Sequence, residues 1–136
     1  MFPSFLELNP KWKWMTVPSV DADMAWLCGL MCCFFSNSNF PVSKRIFFSG
    51  CEKNSNLTIL RIIKCIKDFD KGLETRINFF DSEYQCVLRS RPLRQYFETY
   101  FSSMESLKYF ETKTLQEDFL QGFADAFKVS SLKECL

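Results

Sequence analysis

The sequence predicts an α+β fold, a small antiparallel sheet packed on helices, with two glycine-bearing helices lying side by side. Three observations predict it. An apolar-x-Gly-apolar pattern occurs twice, in Leu27-Cys28-Gly29-Leu30-Met31-Cys32-Cys33-Phe34 and in Leu120-Gln121-Gly122-Phe123-Ala124-Asp125-Ala126-Phe127, and the copies start 93 residues apart. Between them, Ile59, Ile62, Ile63 and Ile66 fall at i, i+3, i+4, i+7, the period of a helix with one apolar face. Leu73 to Phe80 and Tyr84 to Ser90 then alternate with a period of two, the pattern of half-buried strands.

The elements follow in order. Residues 1–19 hold Pro3, Pro10 and Pro18 around Lys11-Trp12-Lys13-Trp14; prolines at this spacing prevent a long helix and favour an extended arm. Ser19 or Asp21 caps a helix over Ala22 to Phe35, apolar almost all round and therefore central. Ser36 to Asn39 and Pro41 end it, and Lys44 to Cys51 reads as a strand. Leu57 to Asp70 is the amphipathic helix, with Arg61, Lys64, Lys67 and Lys71 on its polar side. Gly72 marks its C-cap, and the two alternating strands form a hairpin around Asp81-Ser82-Glu83, with Arg76 and Asn78 on one face and Ile77 and Phe79 on the other. Pro92 opens a helix to about Met104, with Leu93, Tyr96, Phe97 and Tyr100 inward. Glu105 to Thr114 is a polar connector, and Leu115 to about Val129 is the last helix.

Composition limits the chemistry. A chain of 136 residues, 47% hydrophobic, fills one core and one domain, residues 20–136 behind the arm. The absence of histidine excludes Ser-His-Asp and Cys-His catalysis and the usual zinc enzymes. Seven cysteines without a CxxC pair point to buried free thiols in a reducing compartment rather than a metal or disulfide framework. A net charge of +1 gives no bulk attraction to nucleic acid, so any such binding requires a local basic face. No run approaches the ~20 residues that span a bilayer. Residues 1–15 contain no Arg and no signal-peptide core. Sixteen phenylalanines beside four glycines accord with an AT-rich organellar coding sequence.

The repeated glycine has a physical reading of its own. Gly29 and Gly122 are two of four glycines in the chain. Inside a helix each forfeits about 1 kcal/mol relative to alanine, which close approach of two helix backbones offsets. Leu27, Leu30 and Phe34 match Leu120, Phe123 and Phe127, giving two faces able to meet about a pseudo-twofold axis.

The two motif helices and the order of elements between them resemble one half-domain of the LAGLIDADG homing endonucleases and maturases, followed by the opening helix of the next half. Val87-Leu88-Arg89-Ser90-Arg91-Pro92-Leu93 resembles the segment leading from the family's hairpin into its third helix, and Phe119 to Ala126 matches its motif. The resemblance implies that the last acid of each motif helix would hold a divalent metal for phosphodiester cleavage. Here those positions are Phe34 and Phe127, whose rings can do neither, while Asp125 keeps the earlier acid and its counterpart is Cys32. It also implies that the second half-domain is truncated, so that either a partner chain supplies the missing half or a surviving half-saddle has been put to another use.

The expectation is therefore a catalytically inactive, LAGLIDADG-derived RNA-binding structural protein, without metal or cofactor, in an organellar ribonucleoprotein such as the mitochondrial ribosome. Its partners are ribosomal RNA and neighbouring proteins, and no membrane. The expected RNA contacts are Lys44, Arg45, Arg61, Lys64, Lys67, Arg76, Arg89, Arg91 and Arg94, with Trp12 and Trp14 stacking on bases. The rival readings are a fragment of a split homing endonuclease and a group I intron maturase-like protein.

Overall fold

The computed structural model describes the backbone over residues 2–36, 46–50, 55–69, 75–80, 83–88 and 90–128, and side chains over 2–36, 57–69 and 90–127. Helix α1 is Phe5–Leu8, followed by a 3-10 turn at Pro10–Trp12. Helices α2 (Ala22–Ser36), α3 (Ser55–Lys67), α4 (Arg91–Tyr100) and α5 (Lys113–Asp125) follow. Met104–Tyr109, which takes in five residues of the expected connector, forms a 3-10 helix, and Ala126–Lys128 form another.

The fold class differs from the sequence expectation. The part described to side-chain level is 74% helix and contributes no strand, so an α+β fold with an antiparallel sheet packed on helices is not supported. All the described buried apolar side chains lie on helices, on the turns that flank them or on the N-terminal arm. The backbone does run extended at Ile46–Gly50, Thr75–Phe80 and Glu83–Leu88, paired antiparallel with the last segment in the middle. Those strands' side chains lie outside the described residues. Alternation reports only local periodicity, and the interior that can be described is filled by helices and aromatic rings.

Three helix starts have identifiable caps. Asp21 Oδ1 accepts from the Met24 amide at 2.9 Å, Ser90 Oγ from Leu93 at 3.3 Å, and Thr112 Oγ1 from Leu115 at 3.2 Å, each satisfying a donor that the first turn leaves unpaired. Helix α2 is buried from Met24 through Phe34. It lies against α5 and also meets α3 and α4. Ile59, Ile62, Ile63 and Ile66 of α3 and Leu93, Tyr96 and Phe97 of α4 complete the core.

The arm is more structured than an extended segment. Phe5 stacks on Tyr96 with ring centroids 4.3 Å apart, and the Tyr96 hydroxyl donates to the Pro3 carbonyl at 2.8 Å. Phe2 joins Phe101, Tyr109 and Phe110. Further along, the Thr16 amide donates to the Phe69 carbonyl at 3.3 Å, tying the arm to the end of α3. Among the described residues no helix is long and apolar enough to cross a membrane.

The seam between α2 and α5 is close-packed at two glycines. A Cβ on Gly29 would lie 1.8 Å from the Phe119 carbonyl oxygen, and one on Gly122 would lie 1.9 Å from that of Trp26. Each glycine thus faces the carbonyl of the residue three positions before the other glycine, and the contact repeats itself about a local twofold axis. A Cα hydrogen occupies the space a methyl would need, the geometry of a Cα–H···O contact.

Candidate nucleic-acid interface

The twofold relation of the seam breaks where polar chemistry enters. Trp26 corresponds to Phe119 and Asp125 to Cys32 across the repeat. On one side the Trp26 indole N–H donates to Asp125 Oδ2 at 2.9 Å, and Gln121 Nε2 donates to Oδ1 at 2.9 Å. The buried carboxylate of Asp125 therefore lies in the helix pair as an acceptor for the indole. Over the face of the Trp26 ring, the Arg61 guanidinium lies 4.1 Å from the centroid and pairs with Asp23 at 3.1 Å. Arg61 is among the expected RNA contacts; folding instead applies its guanidinium to Trp26 and Asp23, a placement no local pattern signals.

The motif positions divide by copy. Leu27, Gly29, Leu30 and Phe34 are buried, as is Gly122, and Phe123 is half-buried. The sequence reading puts Leu120 and Phe127 at the helix pair as well, yet they are 46% and 51% exposed. Their counterparts Leu27 and Phe34 sit on the central helix, which has neighbours on more than one side, whereas the outer side of α5 is open to water. Phe34 rests edge-on against Phe35, centroids 5.4 Å apart. Among the described residues no three Cys, Asp or Glu side chains are grouped to hold a metal ion.

Other cations are exposed on α3 and on the arm. Lys64 and Lys67 project from α3 into solvent. The bond from Thr16 to Phe69 brings the arm to the same end of α3, with Lys11, Lys13 and Trp14 all exposed. Trp12 is half-buried against the core instead. Asp68 is the exposed acid at this edge. Lys11 and Lys13 were missed as individual contacts; their alternation with the tryptophans was the available signal. Among the described residues the ion pairs are Arg61 with Asp23 and Arg94 with Glu98, the latter at 3.6 Å. These leave Arg94 turned along its own helix, while Arg91 is exposed at the start of α4. Arg76 lies on an extended segment opposite Val87 in register, its side chain outside the described residues, as are Lys44, Arg45 and Arg89.

No protein-family model, curated protein or solved structure matches this chain. The assignment of function therefore rests on its own residues.

The four cysteines among the described residues offer no nucleophile. Cys28, Cys32, Cys33 and Cys65 are free and buried. Burial pushes all four thiols up, Cys33 to about 11 and Cys65 to about 12, so they stay protonated and unreactive at neutral pH. Cys32 Sγ lies 4.0 Å from Sδ of the exposed Met104, an ordinary part-buried sulfur contact.

Proposed function

We propose that this protein is a catalytically silent RNA-binding subunit of an organellar ribonucleoprotein, with the mitochondrial ribosome the best case, built on a helix pair of LAGLIDADG origin. The observation that carries the proposal is the edge where the arm meets α3. Lys11 and Lys13 on the arm and Lys64 and Lys67 on α3 are all exposed, as is Trp14, the two segments are joined by the Thr16–Phe69 bond, and none of the four lysines is ion-paired with a described residue. Such a cluster supplies the local field that a net charge of +1 does not. Silence toward phosphodiesters is supported by Phe34 and Phe127, which stand where the resembling family keeps metal-holding acids.

The test is fluorescence anisotropy of a labelled ribosomal RNA fragment. Four lysine–phosphate contacts imply that affinity falls about 50-fold between about 50 and about 200 mM salt. The Lys64→Glu/Lys67→Glu variant should bind at least about tenfold more weakly. Binding that is absent, or indifferent to salt, overturns the proposal.

One observation favours a second reading. The exposure of Leu120 and Phe127 suits a fragment of a split homing endonuclease whose partner chain covers that side of α5. Cleavage of a long DNA site on adding Mg²⁺ and the partner would establish it.

A further inference from the structure

We infer that the edge formed by the arm and α3 takes an unpaired stretch of RNA, with one base laid on the face of Trp14. The inference rests on the RNA-binding reading above and specifies its ligand.

Tryptophan is usually well buried, and this chain follows that habit twice. Trp26 is 2% exposed, and Trp12 packs against the core. Trp14 is 59% exposed, although the backbone around it is held in place. The Met15 amide donates to the Trp12 carbonyl at 3.1 Å, Met15 itself is buried, and Thr16 is bonded to Phe69. The indole is thus presented outward from a segment fixed on both sides, so little backbone ordering opposes a ligand that settles on it.

The surrounding charges indicate what that ligand is. Lys13 adjoins Trp14, Lys11 lies on the preceding 3-10 turn, and Lys67 lies two residues from the α3 end of the Thr16–Phe69 bond. With the acid Asp68 exposed among them, the cations are all lysines, compact charges that follow a phosphate backbone without the planar fork arginine uses to read base edges. In an A-form duplex the bases are closed between their neighbours and the major groove is too deep and narrow for side chains to read, so a single protruding ring finds no face to meet. An unpaired base offers that face whatever its identity. The edge therefore selects for strandedness and tolerates sequence.

Three probes test this on the full chain: labelled oligouridylate and oligoadenylate of about twelve nucleotides, within the usual span of a single-strand site, and a blunt RNA duplex of the same length. Both single strands should bind about tenfold tighter than the duplex and quench tryptophan fluorescence. Trp14→Ala should weaken single-strand binding about tenfold and leave the duplex unchanged, consistent with the known weight of one stacked base. Trp14→Phe should keep most of the affinity, because a smaller ring still stacks, while losing the quench. Equal affinity for strand and duplex, or a Trp14→Ala variant that binds single strands as tightly as the parent, overturns the inference and leaves the RNA reading standing. Failure of all three probes to bind overturns both. Protection of Trp14 by a protein neighbour and not by RNA assigns the ring to protein docking and likewise ends the inference.

Discussion

Replacing Gly29 by alanine sets two known effects against each other. Alanine favours the helix by about 1 kcal/mol over glycine. In α2, however, the added methyl would sit 1.8 Å from the Phe119 carbonyl oxygen and 2.7 Å from its carbonyl carbon. An ordinary carbon–oxygen contact is about 3.3 Å, so α2 and α5 must separate by roughly 1.5 Å. The obstruction is backbone and cannot rotate away, which places the overpacking penalty at the upper end of the usual range of about 1–3 kcal/mol. The net expectation is a loss of about 2 kcal/mol, read in urea unfolding followed by circular dichroism as a midpoint lowered by about 1 M. Gly122→Ala, with its methyl 1.9 Å from the Trp26 carbonyl oxygen, should behave alike. The double variant should lose less than the sum, because one separation of the seam relieves both clashes, with a coupling of about 1–2 kcal/mol. A Gly29→Ala protein as stable as the parent, or more so, would refute the reasoning, since helix propensity would then have acted unopposed.

Three further outcomes follow from the same geometry. Asp125→Ala leaves the buried Trp26 indole N–H without that acceptor and should destabilise by about 1–3 kcal/mol, with Asp125→Asn losing less because an amide oxygen still accepts; thermal unfolding and tryptophan emission report both. Leu27→Ala should lose about 2–5 kcal/mol from the fully buried site, and Leu120→Ala about 1 kcal/mol or less from its half-exposed one, a contrast read in paired urea titrations. The thiols of Cys33 and Cys65 are raised from 9.0 to about 11 and about 12 by burial. Between pH 9 and those values the unfolded chain has released protons that the folded chain retains, so stability is full below pH 9 and should fall by up to about 1.4 kcal/mol per pH unit per thiol above it. Unfolding midpoints measured from pH 8 to 11 in reducing buffer check the sign.

Much of the helical core can be read locally. The apolar run of α2 and the isoleucine spacing of α3 each state which residues go inside, because burial on a helix follows a fixed angular step. Glycines inside two apolar helices likewise signal a close approach, since nothing else offsets their disadvantage. Strand-like alternation located the extended segments Thr75–Phe80 and Glu83–Leu88 but not the fold class, because a period of two describes one segment and not what packs on it. The candidate interface was half legible: Lys64 and Lys67 stand out by spacing, whereas Arg61 looks the same in sequence and is applied to Trp26 by the fold.

The sequence by itself determined the four longer helices α2 to α5, the absence of histidine chemistry, and the aromatic rings at positions where the resembling family holds acids. Tertiary structure alone decided that Trp26 meets Asp125 across 99 residues, that Trp14 faces water while Trp12 does not, and that Leu120 and Phe127 lie open where Leu27 and Phe34 are closed. The physical reason is the same throughout. A residue's type and spacing fix which side of its own helix it occupies, but exposure and partnership depend on what the rest of the chain places against that side.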